Sequence, residues 1–397
     1  MSMQNIMDTA DSYLLHVYNR FPVVFDHGKD MYLYDTDNKE YLDFASGIGV
    51  MVFGYGNKEF AYALENQIRK LLHTSNLYYH EPLLTAAHAV CKVTQMDKVF
   101  FTNSGAEAIE GAVKTAKKYA YMRDKKAGHE VIAFSHSFHG RTVGALSVTG
   151  NDHYREPFYP LMDGVLFAEY NNYESVESLV SEKTCAILME TVQGEGGIYP
   201  ADEEFIKAVR QLCTDRDIVF ILDEIQCGMG RTGYRYAYEH YDLKPDIVTT
   251  AKALGGGVPV GAFAVSKKIA EASLVPGDHG TTYGGNPLVC AAVTKSIEML
   301  EEMKLCEHVQ NTAPYLEAKL EELTQKYDFV KGHRGMGFMQ GLVLDVPVGD
   351  VVKACLKEGL IVLSAGSDVL RLLPPLIAQE DDIDRAMIVI DGVLAQY

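Results

Sequence analysis

The fold is decided by the stretch DIVTTAKALGGG, residues 246–257. Its β-branched start, residues 247–250, predicts a short buried strand. Lys252 follows that strand directly and precedes three glycines, which regular elements disfavour. Loss of water at such a position lowers the pKa of a lysine, and a neutral amine can form a Schiff base with a carbonyl. A surface lysine that opens a glycine loop is the simpler interpretation of this stretch taken alone.

The chain around this stretch alternates short apolar runs with helical patterns from about residue 84. Such alternation is typical of an α/β fold, in which helices cover both faces of a mostly parallel sheet. Ligands of these sheets bind at the carboxyl ends of the strands. We therefore expect a large α/β domain over residues 46–285. A smaller α+β domain is expected over 286–397, with a contribution from the N-terminal segment 1–45.

The composition excludes several classes of function. The 397 residues carry a net charge of −18 and have a pI near 5.1, which disfavours nucleic acids and anionic membranes as partners. We find no apolar run as long as a membrane span and no signal-peptide pattern at the polar N-terminus. The seven cysteines form no C-x-x-C pair. We therefore expect reduced thiols, no metal site and a cytoplasmic location.

Two loops that follow predicted strands have residues suited to a phosphate and to a flat ring. Ser104, Gly105 and Ala106 open a predicted helix, where a hydroxyl and free N–H groups can bind phosphate. A simple helix cap explains that loop equally well. In a second loop, Phe138 can stack on a ring and Arg141 can bind a carboxylate. An ordinary polar loop with one buried aromatic residue is the simpler explanation there.

Two further loops place carboxylates at strand ends. Glu195 lies among glycines after a predicted strand, which indicates close approach of the backbone to a ligand, although a turn is the commoner reason. Asp223 ends the most apolar strand of the chain, residues 218–222. An ionised carboxylate there is costly unless a cation meets it, and a protonated pyridine nitrogen is such a cation. A helix cap or an ion pair with Arg231 is the alternative.

Each feature alone has an ordinary structural explanation, but their combination at predicted strand ends is improbable by chance. Together they supply a phosphate cup, a ring stacker, a partner for a pyridine nitrogen and an amine for a Schiff base. Pyridoxal phosphate requires these groups, because its protonated ring nitrogen makes it an electron sink. We therefore predict a pyridoxal-phosphate site centred on Lys252.

Several motifs also resemble one known family, the class III aminotransferases of the fold-type I pyridoxal-phosphate enzymes. The similarity extends from about residue 20 to the C-terminus, and the motifs in combination are highly specific. They are SGAEA at 104–108, FHGRT at 138–142, QGEGG at 193–197, DEIQCGMGRTG at 223–233 and AKALGGG at 251–257.

The resemblance implies a role for each residue near the cofactor. Lys252 would carry the cofactor and move a proton between it and the substrate, and Asp223 would pair with the ring nitrogen. The phosphate would be held from two subunits, which implies a homodimer. The other contacts would be Gln226 at the phenolic oxygen, Phe138 on the ring face, and Ser104, Gly105, Ala106 and Thr282 of the partner subunit at the phosphate.

The resemblance also implies two carboxylate sites. The segments 226–233, 279–287 and 365–371 resemble members of the family that transfer the δ-amino group of N-acetylornithine to 2-oxoglutarate in arginine biosynthesis. Arg141 would bind the α-carboxylate of the acyl-ornithine, and Arg371 that of glutamate or 2-oxoglutarate. Glu195 would cover Arg371 while the amine donor is bound, which prevents binding in the wrong direction.

Two departures from the family pattern bear on specificity. Thr191 stands where the family usually has proline, and Met51 stands where it usually has asparagine. The chain also lacks the tyrosine near Gly47 with which ornithine δ-aminotransferases recognise a free α-amino group, which favours an N-acylated donor. The open alternatives are another ω-aminotransferase (for succinylornithine, succinyldiaminopimelate or 4-aminobutyrate), an enzyme of the glutamate-semialdehyde aminomutase type, and a non-catalytic binding protein.

Overall fold

Seventeen strands form four sheets in the computed structural model, which describes residues 2–397. The alternation of strands and helices that the sequence predicts is present, and the α/β fold is confirmed. The strands are β1 (Phe25–Lys29), β2 (Tyr32–Asp35), β3 (Glu40–Asp43), β4 (Lys98–Thr102), β5 (Glu130–Phe134), β6 (Val165–Ala168), β7 (Thr184–Glu190), β8 (Val192–Gln193), β9 (Tyr199–Pro200), β10 (Val219–Asp223), β11 (Ile247–Thr250), β12 (Gly261–Val265), β13 (Val330–Met336), β14 (Met339–Leu344), β15 (Leu360–Ile361), β16 (Leu363–Ala365) and β17 (Val369–Leu372).

Helices cover the sheets, and many begin at a polar side chain that accepts an N–H group of the first turn, as Asn57 and Asn286 do. No helix within residues 2–397 combines the length and the apolarity needed to cross a bilayer. The helices are α1 (Met3–Tyr13), α2 (Ser46–Gly49), α3 (Lys58–Lys70), α4 (Glu81–Thr94), α5 (Gly105–Asp124), α6 (Val143–Ser147), α7 (Asp152–Arg155), α8 (Tyr173–Leu179), α9 (Glu203–Arg216), α10 (Lys267–Glu271), α11 (Pro287–Glu302), α12 (Leu305–Lys326), α13 (Val348–Lys357) and α14 (Glu380–Leu394).

The largest sheet has seven strands in the order β4-β12-β11-β10-β7-β5-β6. Only β12 is antiparallel to its neighbours within this sheet. Strands β7, β10, β11 and β12 are buried along their whole length, because apolar clusters lie on both faces. Because β4, β5, β7, β10 and β11 run in the same direction, they all end at one edge of the sheet. The loops with the predicted site residues meet at this edge.

Two four-stranded sheets join distant parts of the chain. The N-terminal hairpin continues into β3, which pairs in parallel with β15, so that Leu42 faces Leu360. The other sheet has the order β13-β14-β17-β16, and its strand β17 carries Arg371. The N-terminal segment is therefore bound to the C-terminal part of the chain by backbone hydrogen bonds.

Two strands contain glycines where the local sequence does not indicate a strand. Residues 27–30 have the composition of a turn, but Gly28 lies within β1, where a Cβ would come within 2.6 Å of the Tyr55 side chain. Strand β13 has a sequence, VKGHRGM, that does not indicate a strand, because it is polar and has two glycines. Gly335 has a φ of 153°, which residues with a side chain rarely adopt, and it pairs with Gln340 of β14, so tertiary pairing outweighs the low strand propensity.

Candidate active site

One cavity lies at the edge where the parallel strands of the central sheet end. It has a volume of about 490 Å³, and loops that follow β4, β5, β7, β10 and β11 line it. Ligands of open α/β sheets bind at this edge. The sequence-predicted residues that line the cavity together are Ser104, Gly105, Ala106, Phe138, Arg141, Asp223, Gln226 and Lys252.

The N-terminus of α5 forms an anion pocket in this cavity. The first N–H groups of a helix have no acceptor within the helix, and Gly105 and Ala106 line the cavity at this point. The Ser104 hydroxyl accepts the N–H of Glu107 at 3.2 Å, while the Glu107 carboxylate accepts the N–H of Asn103 at 2.8 Å. Ser104 therefore caps the helix and leaves two N–H groups free, so the helix cap and the phosphate cup are compatible.

The loop after β5 carries Phe138 and Arg141. Gly140 adopts a φ of 135°, and a Cβ there would come within 2.8 Å of the Ala106 Cβ, so the loop packs closely on the start of α5. The Arg141 side chain is exposed at the cavity. Among residues 2–397, no carboxylate lies within the 4.0 Å of an ion pair with it. Arg141 is therefore a cation that is available to a substrate carboxylate.

Asp223 is buried at the end of β10, and both of its carboxylate oxygens accept hydrogen bonds. Its Oδ2 lies 2.8 Å from Nδ1 of His139, and its Oδ1 accepts the N–H of Ile225 at 3.0 Å and the hydroxyl of Thr249 at 3.2 Å. Arg231, the alternative partner, donates instead to backbone carbonyls of the C-terminal part of the chain. The structure thus contradicts that alternative and leaves Asp223 at the cavity.

Sequence reasoning missed two residues of this site, His139 and Glu190. Because the Asp223 carboxylate can only accept, we assign the proton of His139 to Nδ1; its Nε2 is buried without a partner in the described part of the chain. Glu190 ends β7 and lies in register with Asp223 of β10. Glu190 could have been found from the sequence, because it is an acidic residue at the end of an apolar strand. The sequence indicates His139 only by its position between the predicted residues Phe138 and Arg141.

Glu190 connects two loops of the site. Its Oε1 accepts the N–H of Phe138 and its Oε2 accepts the N–H of Gly194, each at 3.0 Å. Burial raises the pKa of Glu190 to about 7, and nearby His139 opposes the rise while Asp223 adds to it. The carboxyl group therefore ties the loop after β5 to the loop after β7.

Lys252 follows β11 and is both desolvated and strained. Its φ of 46° lies in the left-handed region, which residues with a side chain rarely adopt. Strain of this kind costs about 1–3 kcal/mol. Burial lowers the pKa of the Lys252 amine, although Glu195 and Asp223 oppose the change. These conditions favour a neutral, nucleophilic amine.

Arg371 and Glu195 do not line the cavity but contact it through Gln226. The Arg371 Nη1 lies 2.6 Å from the Glu195 Oε1 and 3.1 Å from the Gln226 Oε1. Burial alone would raise the pKa of Glu195, but Arg371, Lys252 and Gln226 outweigh it, and the pKa is lowered. Thr282 is exposed and does not line the cavity of its own chain.

The two departures from the family pattern each make a specific contact. Thr191 is fully buried, and its hydroxyl donates to the carboxylate of Glu224 at 2.5 Å. Burial raises the pKa of Glu224 to about 7, against the opposing effect of that hydrogen bond. Met51 packs against the glycine loop after the lysine, where a Cβ on Gly257 would lie 3.0 Å from its sulfur. Neither departure removes a group from the cavity.

The cavity suits pyridoxal phosphate, a flat ring with a phosphate, a ring nitrogen and an aldehyde. Free N–H groups suit the phosphate, and the backbone packs closely there, since a Cβ on Gly105 would come within 2.9 Å of the Ile225 side chain. The buried carboxylate of Asp223 suits a protonated ring nitrogen, and the amine of Lys252 suits the aldehyde.

Comparisons with known proteins agree with this chemistry. The family model "Aminotransferase class-III" matches residues 14–394. The acetylornithine aminotransferase of Methanocaldococcus jannaschii is 45% identical over 396 residues, which cover 100% of this chain and 99% of the relative. Among solved structures, an ornithine aminotransferase from Toxoplasma gondii ME49 has a TM-score of 0.96 at 28% identity, with 100% and 96% of the two chains covered.

A second solved structure leads to the same family. The acetylornithine aminotransferase from Elizabethkingia anophelis has a TM-score of 0.89 at 28% identity, and each chain is covered over 100% of its length. The family match, the full-length relatives and the fold agree with the chemistry of the cavity. The chain belongs to the class III aminotransferases and is a pyridoxal-phosphate-dependent transaminase.

Proposed function

We propose that the protein transfers the δ-amino group of N-acetylornithine to 2-oxoglutarate, which yields N-acetylglutamate semialdehyde and glutamate. This reaction belongs to arginine biosynthesis, and we place it in the cytoplasm. One observation carries the proposal: of two arginines near the site, Arg141 has no carboxylate partner among residues 2–397, whereas Arg371 is paired with Glu195 at 2.6 Å. Two differently built substrates require one open and one masked carboxylate site. The acetylornithine aminotransferase relatives support the choice of donor.

The residues of the cavity would hold the cofactor as follows. Pyridoxal phosphate, when bound, supplies an aldehyde that takes up the amino group and a ring that stabilises negative charge on the substrate carbon. The carboxylate of Asp223 would keep the ring nitrogen protonated, and His139 would fix the orientation of that carboxylate. The amine of Lys252 would move a proton to and from the substrate carbon through Nζ. Further contacts would come from Gln226, from Phe138 on the ring face, and from Ser104, Gly105 and Ala106 at the phosphate.

We propose a homodimer with shared active sites, in which Thr282 of the partner subunit completes the phosphate pocket. Thr282 is exposed in the single chain, as a residue that serves another subunit must be. The neighbouring surface is unusually apolar, since Leu77 is 86% exposed, Tyr79 93% and Tyr283 62%. A monomer rarely exposes such a cluster, so a second copy is its natural cover. Within each subunit we propose a large domain over 46–285 and a small domain formed by 1–45 and 286–397.

A donor panel tests the substrate. Acetylornithine, succinylornithine, ornithine and 4-aminobutyrate are compared as amino donors to 2-oxoglutarate, with kcat/KM as the readout. We expect the N-acylated donors to exceed ornithine and 4-aminobutyrate, with acetylornithine highest. A preference for free ornithine or 4-aminobutyrate would overturn the proposal, and turnover without 2-oxoglutarate would indicate an aminomutase. Lys252→Ala is the control for the chemistry, since it should lose turnover and the visible absorption band of the bound cofactor.

A further inference from the structure

Arg141 is held by aromatic rings. Its guanidinium carbon lies 3.7 Å from the centre of the Tyr154 ring and 5.5 Å from that of Phe138. The two rings contact each other edge to face, with centres 6.3 Å apart and planes at 84°. Tyr154 is half-buried in the short helix α7, so its ring is fixed by its surroundings. The predicted ring stacker, the predicted carboxylate clamp and Tyr154 thus form one packed group.

An aromatic partner leaves the hydrogen-bond donors of an arginine free, whereas an acidic partner occupies some of them. A guanidinium group donates its hydrogen bonds along its edges, in the plane of the group. A carboxylate partner occupies an edge, as Glu195 does on Arg371. A ring under the guanidinium group occupies a face and leaves the edges free for a bidentate bond to a substrate carboxylate.

The stacking also restricts a side chain that is otherwise mobile. Gly140 fixes the backbone beside Arg141 by its close approach to Ala106, but that contact does not fix the long side chain. An exposed arginine loses considerable rotamer freedom when it binds a ligand. A ring that holds the side chain beforehand reduces that loss.

We propose that Tyr154 is a positioning residue for Arg141, whose guanidinium group it holds ready for the carboxylate of the ω-amino donor. The inference rests on the proposed function, because it takes Arg141 as the donor clamp. Arg371 is oriented by Glu195 and Gln226 instead, so the site for the α-carboxylate of glutamate does not depend on Tyr154.

The test compares Tyr154→Leu and Tyr154→Met, which lose the aromatic face, with Tyr154→Phe, which keeps it. The holoenzyme is used, and each half-reaction is followed separately. In the Leu and Met variants the apparent KM for the donor should rise by about three- to tenfold, with the donor kcat changed by less than about twofold. Tyr154→Phe should behave as the wild type. Tyr121→Leu is the matched control, since Tyr121 lies 5.9 Å from the Lys125 amine on the outside of α5.

A double-mutant cycle separates positioning from general damage. In an Arg141→Ala background, Tyr154→Leu should have no further effect on the donor KM, because the group that it positions is gone. A persistent effect in that background, an equal loss in Tyr154→Phe, or an unchanged donor KM would overturn the inference. The cycle is measured with the best donor of the panel. A different best donor would overturn the proposed substrate, while the cycle would still decide the role of Tyr154.

Discussion

Arg371 and Glu195 form a close ion pair beside the cavity. The Arg371 Nη1 lies 2.6 Å from the Glu195 Oε1, and the Arg371 side chain is 3% exposed. Gln226 bonds to both partners, accepting from Arg371 at 3.1 Å and donating to Glu195 at 3.2 Å. Desolvation offsets much of the attraction in buried pairs, so stability is a poor explanation for this one. The proposed masking of Arg371 would explain why both charges lie beside the cavity.

Replacing Glu195 with Gln should reverse the substrate preference. Glutamate must displace Glu195 to reach Arg371 in the wild type, whereas no carboxylate competes in Glu195→Gln. We expect the KM for glutamate to fall and that for N-acetylornithine to rise, with the ratio of kcat/KM values shifting by roughly tenfold or more, as for close charge pairs. Separate half-reaction kinetics measure the ratio. Glu203→Gln, which breaks an exposed pair with Lys207, is the control; an unchanged ratio in Glu195→Gln would contradict masking.

Removing His139 should weaken cofactor binding through Asp223. The His139 Nδ1 lies 2.8 Å from the Asp223 carboxylate, and both groups are buried. Loss of a hydrogen bond to a charged group costs about 1.5–3 kcal/mol, so His139→Leu should raise the Kd of the cofactor and lower kcat by roughly tenfold or more. His139→Asn keeps a donor near Nδ1 and should lose less. An absorbance titration measures the Kd, and equal losses in both variants would contradict an orienting hydrogen bond.

The sequence allowed us to predict which loops meet but not how their side chains pair. Parallel strands of one sheet end at the same edge, so a strand order was not needed to bring Ser104, Phe138, Asp223 and Lys252 to one cavity. The bond between His139 and Asp223 spans 84 residues and depends on the rotamers of both side chains. Strand periodicity carries no information about such contacts.

Glycines were the least informative residues of the sequence. The run of three glycines after Lys252 is unusual in the sequence. The strained backbone conformation, however, belongs to Lys252 itself, whose φ is 46°. Gly28 has the pattern of a turn but makes room for the ring of Tyr55 within a strand. Close approach between distant segments requires glycine as often as turns do, and only the folded chain distinguishes the two.

Thr191→Val should destabilise the protein without a direct effect on chemistry. The Thr191 hydroxyl donates to Glu224, whose carboxylate also accepts the N–H groups of Ala237 and Tyr238 in a buried site. Valine has the same shape but no donor, so the free energy of unfolding should fall by about 1–3 kcal/mol. Denaturant unfolding measures it. Thr214→Val on exposed surface should change little, and a Thr191→Val variant as stable as the wild type would mean that the bond contributes nothing.

The stability of the cofactor-free chain should depend on pH through Glu190. Burial raises the pKa of this carboxyl group from 4.5 to about 7, so between these values the folded chain holds a proton that the unfolded chain has lost. Stability from this group is therefore fully present below pH 4.5 and is lost as the pH rises to about 7, by at most about 3 kcal/mol. Glu224 has the same sign.

Glu190→Gln isolates that contribution. Between pH 5 and pH 7.5 the free energy of unfolding should decline less, or rise more, in the variant than in the wild type. The lowered pKa values of His240 and His279 act in the opposite direction, because burial excludes their protons from the folded chain, but they contribute equally to both proteins. The difference between the two pH profiles therefore belongs to Glu190. Identical profiles would mean that Glu190 is ionised in the folded chain throughout this range. In that case the hydrogen bonds from the N–H groups of two loops would outweigh the cost of burying the carboxylate.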